Sequence, residues 1–199
     1  MSEVRQGSAT AGVVAWAMVA ITTLGLCAVF TGWVSPAGIP LLGAWLIALG
    51  VGMFISGLVD LKRGDLLGGT MMMVLASCLN WGTGASFLTA TWAQVNQLPL
   101  DGRLNGAMII GVAVFLALSL LVIAKVSRVI FISVIVLIVG LGLAAAGIFG
   151  GVAPGTGTMY TSGILIGVFS LFCFYFAVTI FVNTFYGRPK LSLGPPVIK

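Results

Sequence analysis

Apolar residues in this chain come in runs too long for one face of a soluble helix. Six stretches keep that character over about 20 residues, the length a helix needs to cross the hydrocarbon of a bilayer. They are 12–31, 40–61, 67–91, 104–124, 128–149 and 160–186. The polar breaks between them carry the prolines: Pro36, Pro40, Pro99, Pro154, Pro189, Pro195 and Pro196 all lie at or outside predicted helix ends. A proline inside a span removes a hydrogen bond that lipid cannot replace, so this placement supports the boundaries. The thinnest break separates the fourth and fifth runs, where only Lys125, Ser127 and Arg128 interrupt an apolar stretch too long for one helix. The pattern predicts an all-α integral membrane protein, a single domain of six transmembrane helices with short tails.

Composition strengthens this reading. Of 199 residues, 60% are hydrophobic, 7% are charged and none is histidine; the mean hydropathy is +1.21. Soluble domains carry about a quarter charged residues. The 28 glycines suit helices packed closely in lipid. Charge sets orientation. With six spans, Arg5, Lys62, Arg63, Lys125, Arg128, Arg188, Lys190 and Lys199 share one side and only Arg103 lies on the other. Basic residues collect on the cytoplasmic side, so both termini are expected inside, in a multi-pass protein of the cytoplasmic (inner) membrane of a bacterium or archaeon. Trp33 and Trp92 then fall at the outer interface, where indoles belong. The net charge of +5 is scattered between apolar runs and reads as a topology signal, not a nucleic-acid surface. Residues 1–10 are polar and lack a clear small-residue cleavage site, so the first run is expected to be a retained helix.

The chemistry available inside the spans is neutral. Glu3, Asp60, Asp65 and Asp101 lie in loops or at helix ends, and no span carries a charge near its centre. Proton pumps and coupled carriers use intramembrane carboxylates or histidines. Proton coupling here would have to use the substrate's own ionisation, water, or Asp60 and Asp65. Cys27, Cys78 and Cys173 are isolated in apolar segments without metal-ligand spacing and read as packing residues. The glycine-rich stretch 64–69 lacks the lysine–serine ending of a phosphate loop. No enzyme, metal site or cofactor is expected.

The polar residues that remain suggest a lane. The third run is the most polar, with Thr70, Ser77, Asn80, Thr83, Ser86 and Thr89, and Trp81 beside Asn80. In an α-helix Ser77 and Asn80 share a face, and a mid-span asparagine must find a partner or meet water. The sixth run sets Tyr175, Thr179 and Asn183 at successive i, i+4 steps, and the first offers Thr22 and Thr23 near its centre. These residues either line a narrow neutral path or bond across helices. Small residues fall at Ala44, Ala48, Gly52 and Ser56, at Gly147 and Gly151, and at Gly163 and Gly167. Their four-residue spacing is that of close helix approach, within one protomer or between subunits.

Two segments carry a family resemblance. Ser56-Gly-Leu-Val-Asp-Leu-Lys-Arg-Gly-Asp-Leu-Leu-Gly-Gly-Thr70 resembles the Ala-Gly-Leu-x-Glu-x-x-x-Gly-Asn-Thr-Phe-Gly-x-Thr junction of the acetate uptake transporters, also called succinate–acetate permeases. Gly57, Leu58, Asp60 (for the glutamate), Gly64, Gly68 and Thr70 match. The ending is similar too, at Asn183, Gly187, Arg188, Leu191 and Gly194. The chain departs from that pattern at residues 7–13, where the family's Asn-Pro-Ala-Pro-Leu-Gly-Leu keeps only Gly12, and at Met53, where the family has glutamine. The resemblance implies a six-helix protomer with its own pore, assembled as a homohexamer and passing acetate or a similar small carboxylate, passively or with a proton. The residues alone leave open a pore for a small neutral solute, or a membrane subunit that transports nothing.

Overall fold

The computed structural model describes residues 11–198; Glu3, Arg5, Lys199 and positions 7–10 of the N-terminal motif lie outside them. Six helices are long and apolar enough to cross a membrane, and no strand occurs among the described residues. They are α1 (Gly12–Phe30), α2 (Ile39–Lys62), α3 (Leu66–Val95), α4 (Arg103–Ile123), α5 (Arg128–Phe149) and α6 (Gly157–Tyr186). The chain is thus a multi-pass membrane protein. Local chemistry fixes several ends. Asp65 caps α3, its Oδ1 accepting the Gly68 N–H at 2.8 Å. Ser127 caps α5 by accepting the Ile130 N–H at 3.3 Å, which makes the short α4–α5 break real. Gly187 ends α6 at φ 61°, a conformation that costs glycine nothing.

Two features depart from plain α-helices at the expected bounds. First, α3 continues past residue 91 to Val95, so Trp92 stands within the helix. Second, its middle, Ala76–Gly82, is π-helical. The i→i+5 turn is wider than an α turn and re-aims every side chain in it, a device common at functional sites. At 30 residues, α6 spans about 45 Å, well beyond a hydrocarbon core of about 30 Å.

Each helix packs on the next, and α6 returns to pack along α1, which closes a ring. The α1–α6 contact is held by glycine at the end away from the basic turns. A Cβ on Gly163 would stand 2.9 Å from the Thr31 nitrogen, and one on Gly167 would stand 2.7 Å from Cys27 Sγ. Two buried serines pin the same helix: Ser170 donates to the Ala20 carbonyl and Ser162 to that of Gly140, both at 2.7 Å. The α2–α3 contact follows a seven-residue spacing, which stays on one face of a helix, unlike a four-residue spacing. A Cβ on Gly43 would stand 2.9 Å from the Gly84 carbonyl oxygen, and one on Gly57 equally close to that of Gly69. Between them, Gly50 leaves room for the Trp81 indole, 2.5 Å from where a Cβ would lie.

The small residues singled out in the sequence therefore divide. Ser56 is buried, Gly52 is half-buried with its missing Cβ space filled by Met18, and Ala44 and Ala48 are exposed. Gly147 packs on Met159 and Thr158. Gly151 lies beyond the end of α5 at φ 64°, with no neighbour near its missing Cβ, and turns the chain.

Candidate functional site

The ring encloses a vestibule at the end opposite the basic turns. It has a volume of about 440 Å³ and takes a wall from every helix: Phe30, Ile39, Phe87, Asn105, Ile148 and Met159 stand around it. Its wall is mostly apolar. The polar exceptions are Thr83, whose hydroxyl has no protein partner among the described residues, and Asn105, whose Oδ1 accepts from Ser86 Oγ at 2.7 Å. That bond leaves the Asn105 NH₂ as an unclaimed donor on the wall. Outside the mouth, Arg103 grips Asp101 through Nε and Nη2 at 2.8–3.1 Å. The guanidinium holds the Asp101 carboxyl down to about 2.

One helical turn inward from Thr83, midway along the bundle, sits Asn80. It is fully buried, and its Nδ2 donates to Thr22 Oγ1 at 3.0 Å. Its Oδ1 has no partner among the described residues. Thr22 accepts that bond and donates to no described group. The couple therefore leaves one acceptor and one donor unused inside the ring. An unmet buried acceptor is costly, so a guest that donates a hydrogen bond is favoured there. Trp81 fixes the local geometry: its Nε1 donates to the Ile47 carbonyl at 3.1 Å and its ring lies 5.1 Å from that of Phe54.

The other residues read from the sequence lie elsewhere. Thr23 is buried but bonds back to the Val19 and Ala20 carbonyls of its own helix. Ser77 is exposed, on a different side of α3 from Asn80, because the π-helical turn separates residues that an α-helix would align. Thr179 is 1% exposed, and its hydroxyl is unpartnered in the basic-side half of α6. Tyr175 and Asn183 fasten the C-terminal tail: Tyr175 donates to the Ser192 carbonyl at 2.6 Å. Asn183 donates to the Leu191 carbonyl and accepts from the Lys190 and Leu191 N–H groups at 2.7–3.0 Å. The tail then crosses the α4–α5 turn, where Ser127 donates to the Leu193 carbonyl and the Arg128 N–H to that of Pro195.

Sequence reasoning passed over Asn105, which stands at the start of α4 among loop residues. Its amide at the mouth of a mostly apolar run was a usable signal. The vestibule itself had none, since it is built from six helix ends far apart in the chain.

The ring of six helices and the cavity at one end of it define a polytopic helical membrane protein. The solved structure of the bacterial acetate channel SatP has this fold, with a TM-score of 0.76 at 20% identity, covering 94% of this chain and 99% of that one. No family model matches the chain, and no curated protein matches it in sequence.

Proposed function

We propose that each protomer is a pore for acetate or a similarly small carboxylate, without catalytic activity, in the cytoplasmic membrane with both termini inside. The observation that carries the reading is the six-walled vestibule standing one turn outside a buried Asn80–Thr22 couple with one acceptor and one donor unused. The likeness in fold to an acetate channel supports it, as does the family resemblance of the α2–α3 junction and the tail. Orientation rests on Lys62, Arg63, Lys125, Arg128, Arg188 and Lys190 at one end against Arg103, already paired, at the other. The protomers assemble as a homohexamer, with the exposed Ala44 and Ala48 face of α2 as a surface suited to close helix approach.

The species that crosses the middle is the protonated acid. No charged side chain stands near the centre of a span, so an anion there would face hydrocarbon and neutral dipoles alone. A carboxylate only accepts hydrogen bonds, whereas a carboxylic acid offers one donor and one acceptor, the complement of Asn80 Oδ1 and the Thr22 hydroxyl. In the vestibule the anion is served instead by donors, the Asn105 amide and the Thr83 hydroxyl. The test is radiolabelled acetate uptake into proteoliposomes by the wild type, Asn80→Leu and Thr22→Val at matched incorporation. The expected result is uptake well above empty vesicles for the wild type and a loss of roughly tenfold or more in either variant, about one lost hydrogen bond to the permeating acid. Equal flux in all three would remove the couple from the path.

A further inference from the structure

The ring is uneven at one seam. Where α3 faces α4, the outer half is closed: Ser86 bonds Asn105, and a Cβ on Gly82 would stand 2.7 Å from Met108 Sδ. The half toward the basic end is open. There the two helices part around a groove of about 510 Å³, lined by Leu66, Leu67, Thr70, Phe115, Ser119 and Val122. The Ser119 hydroxyl is spent on the Phe115 carbonyl of its own helix, which leaves the Thr70 hydroxyl as the polar group of an otherwise apolar groove. At its foot lie the α2–α3 turn, with exposed Lys62 and Arg63, and the α4–α5 turn, with exposed Lys125 and Arg128. Asp65 stands among them, its Oδ1 occupied by the Gly68 N–H. Lys62 and Lys125 make no ion pair with the described residues.

We infer that this groove is a binding site for one anionic phospholipid, its acyl chain between α3 and α4 and its phosphate among the lysines at the foot. The charge at the foot chooses this occupant over another helix. The flanking face of α4 presents Val114, Leu118, Leu121 and Val122, each more than half exposed, a bulky apolar surface beside the groove that acyl chains can cover. The charge at the foot is net positive, which favours an anionic head group over a neutral one. The bound chain closes the open half of the seam and steadies the half of α3 that leads to the π-helical turn bearing Asn80. The site is independent of what the pore carries.

Native mass spectrometry of protein released from detergent, with phosphatidylglycerol or phosphatidylcholine of identical chains added, reads the site directly. Phosphatidylglycerol is expected to be retained in preference, one molecule per protomer, and each lysine to contribute roughly fivefold to that preference. The exposed double variant Lys62→Gln/Lys125→Gln should lose most of that preference, with only the two arginines left at the foot, and Ser119→Phe, which fills the groove, should retain neither lipid. Equal retention of the two lipids by the wild type would overturn the inference. So would an unchanged preference in the lysine variant, or displacement of the lipid by inorganic phosphate alone. A Ser119→Phe protein that loses its oligomers instead of its lipid would assign the groove to a second copy.

Discussion

Asn80 illustrates how one side chain acquires a role from its surroundings. An amide at mid-membrane has four hydrogen-bonding capacities to meet, and the fold meets one of them through Thr22. Leucine at this position keeps the volume and removes the unmet acceptor, so Asn80→Leu should assemble normally and lose uptake. Size-exclusion profiles and flux at equal expression check the two halves separately. Thr22 and Asn80 were visible in the sequence because polar residues inside apolar runs stand out. Their pairing was not visible, since it joins positions 58 apart in the chain. Ser77 shows the complementary failure: its three-residue spacing from Asn80 places it on the same face only if the helix is α, and the π-helical turn has no sequence signature. On α6, Asn183 should prove a fastening of the tail. Asn183→Leu removes three bonds to residues 190 and 191, and limited proteolysis should cut near them faster than in the wild type.

Helices in lipid are held less by apolar burial than by how closely their backbones approach. The α2–α3 pair shows where that matters. At Gly43 an added methyl would meet the Gly84 carbonyl, rigid backbone, while at Gly52 it would meet the flexible end of Met18. Gly43→Ala should therefore destabilise the fold by about 1–3 kcal/mol, the usual cost of overpacking, and Gly52→Ala by less than about 1 kcal/mol. Thermal unfolding in detergent would rank them, and the reverse order would refute the packing scheme. The sequence displayed both glycine patterns, the four-residue steps from Ala44 to Ser56 and the seven-residue steps from Gly43 to Gly57. Only the second holds one face of a straight helix, and period alone did not say which face met α3. Helix number and boundaries were far more legible, because proline, Asp65, Ser127 and Gly187 act locally.

For the whole molecule, the ring of six helices sets a middle without charged side chains between a polar mouth and a basic base that buries Asp60. The predicted substrate species follows from that arrangement. The chain has no histidine, so no side chain changes charge at its ordinary pKa between pH 6 and 8. The Asp101 carboxyl, depressed to about 2 by Arg103, stays ionised throughout; whatever its pairing adds to stability is present above its unfolded pKa and lost only as pH falls through about 2. Besides the solute's own carboxyl, the side chain placed to add to the pH response is Asp60, buried near the basic end of α2. Carboxyl groups titrate near pH 4, so the neutral fraction falls roughly tenfold per pH unit above that, and flux at fixed total acetate should fall in parallel. A pH-independent flux would mean that the anion crosses.

Transport itself is tested most directly by radiolabelled acetate uptake into proteoliposomes holding the wild-type chain, compared with empty vesicles of the same lipid. Saturable uptake well above the empty vesicles is the predicted result. Uptake no faster than theirs, from protein shown to be folded, would contradict the pore.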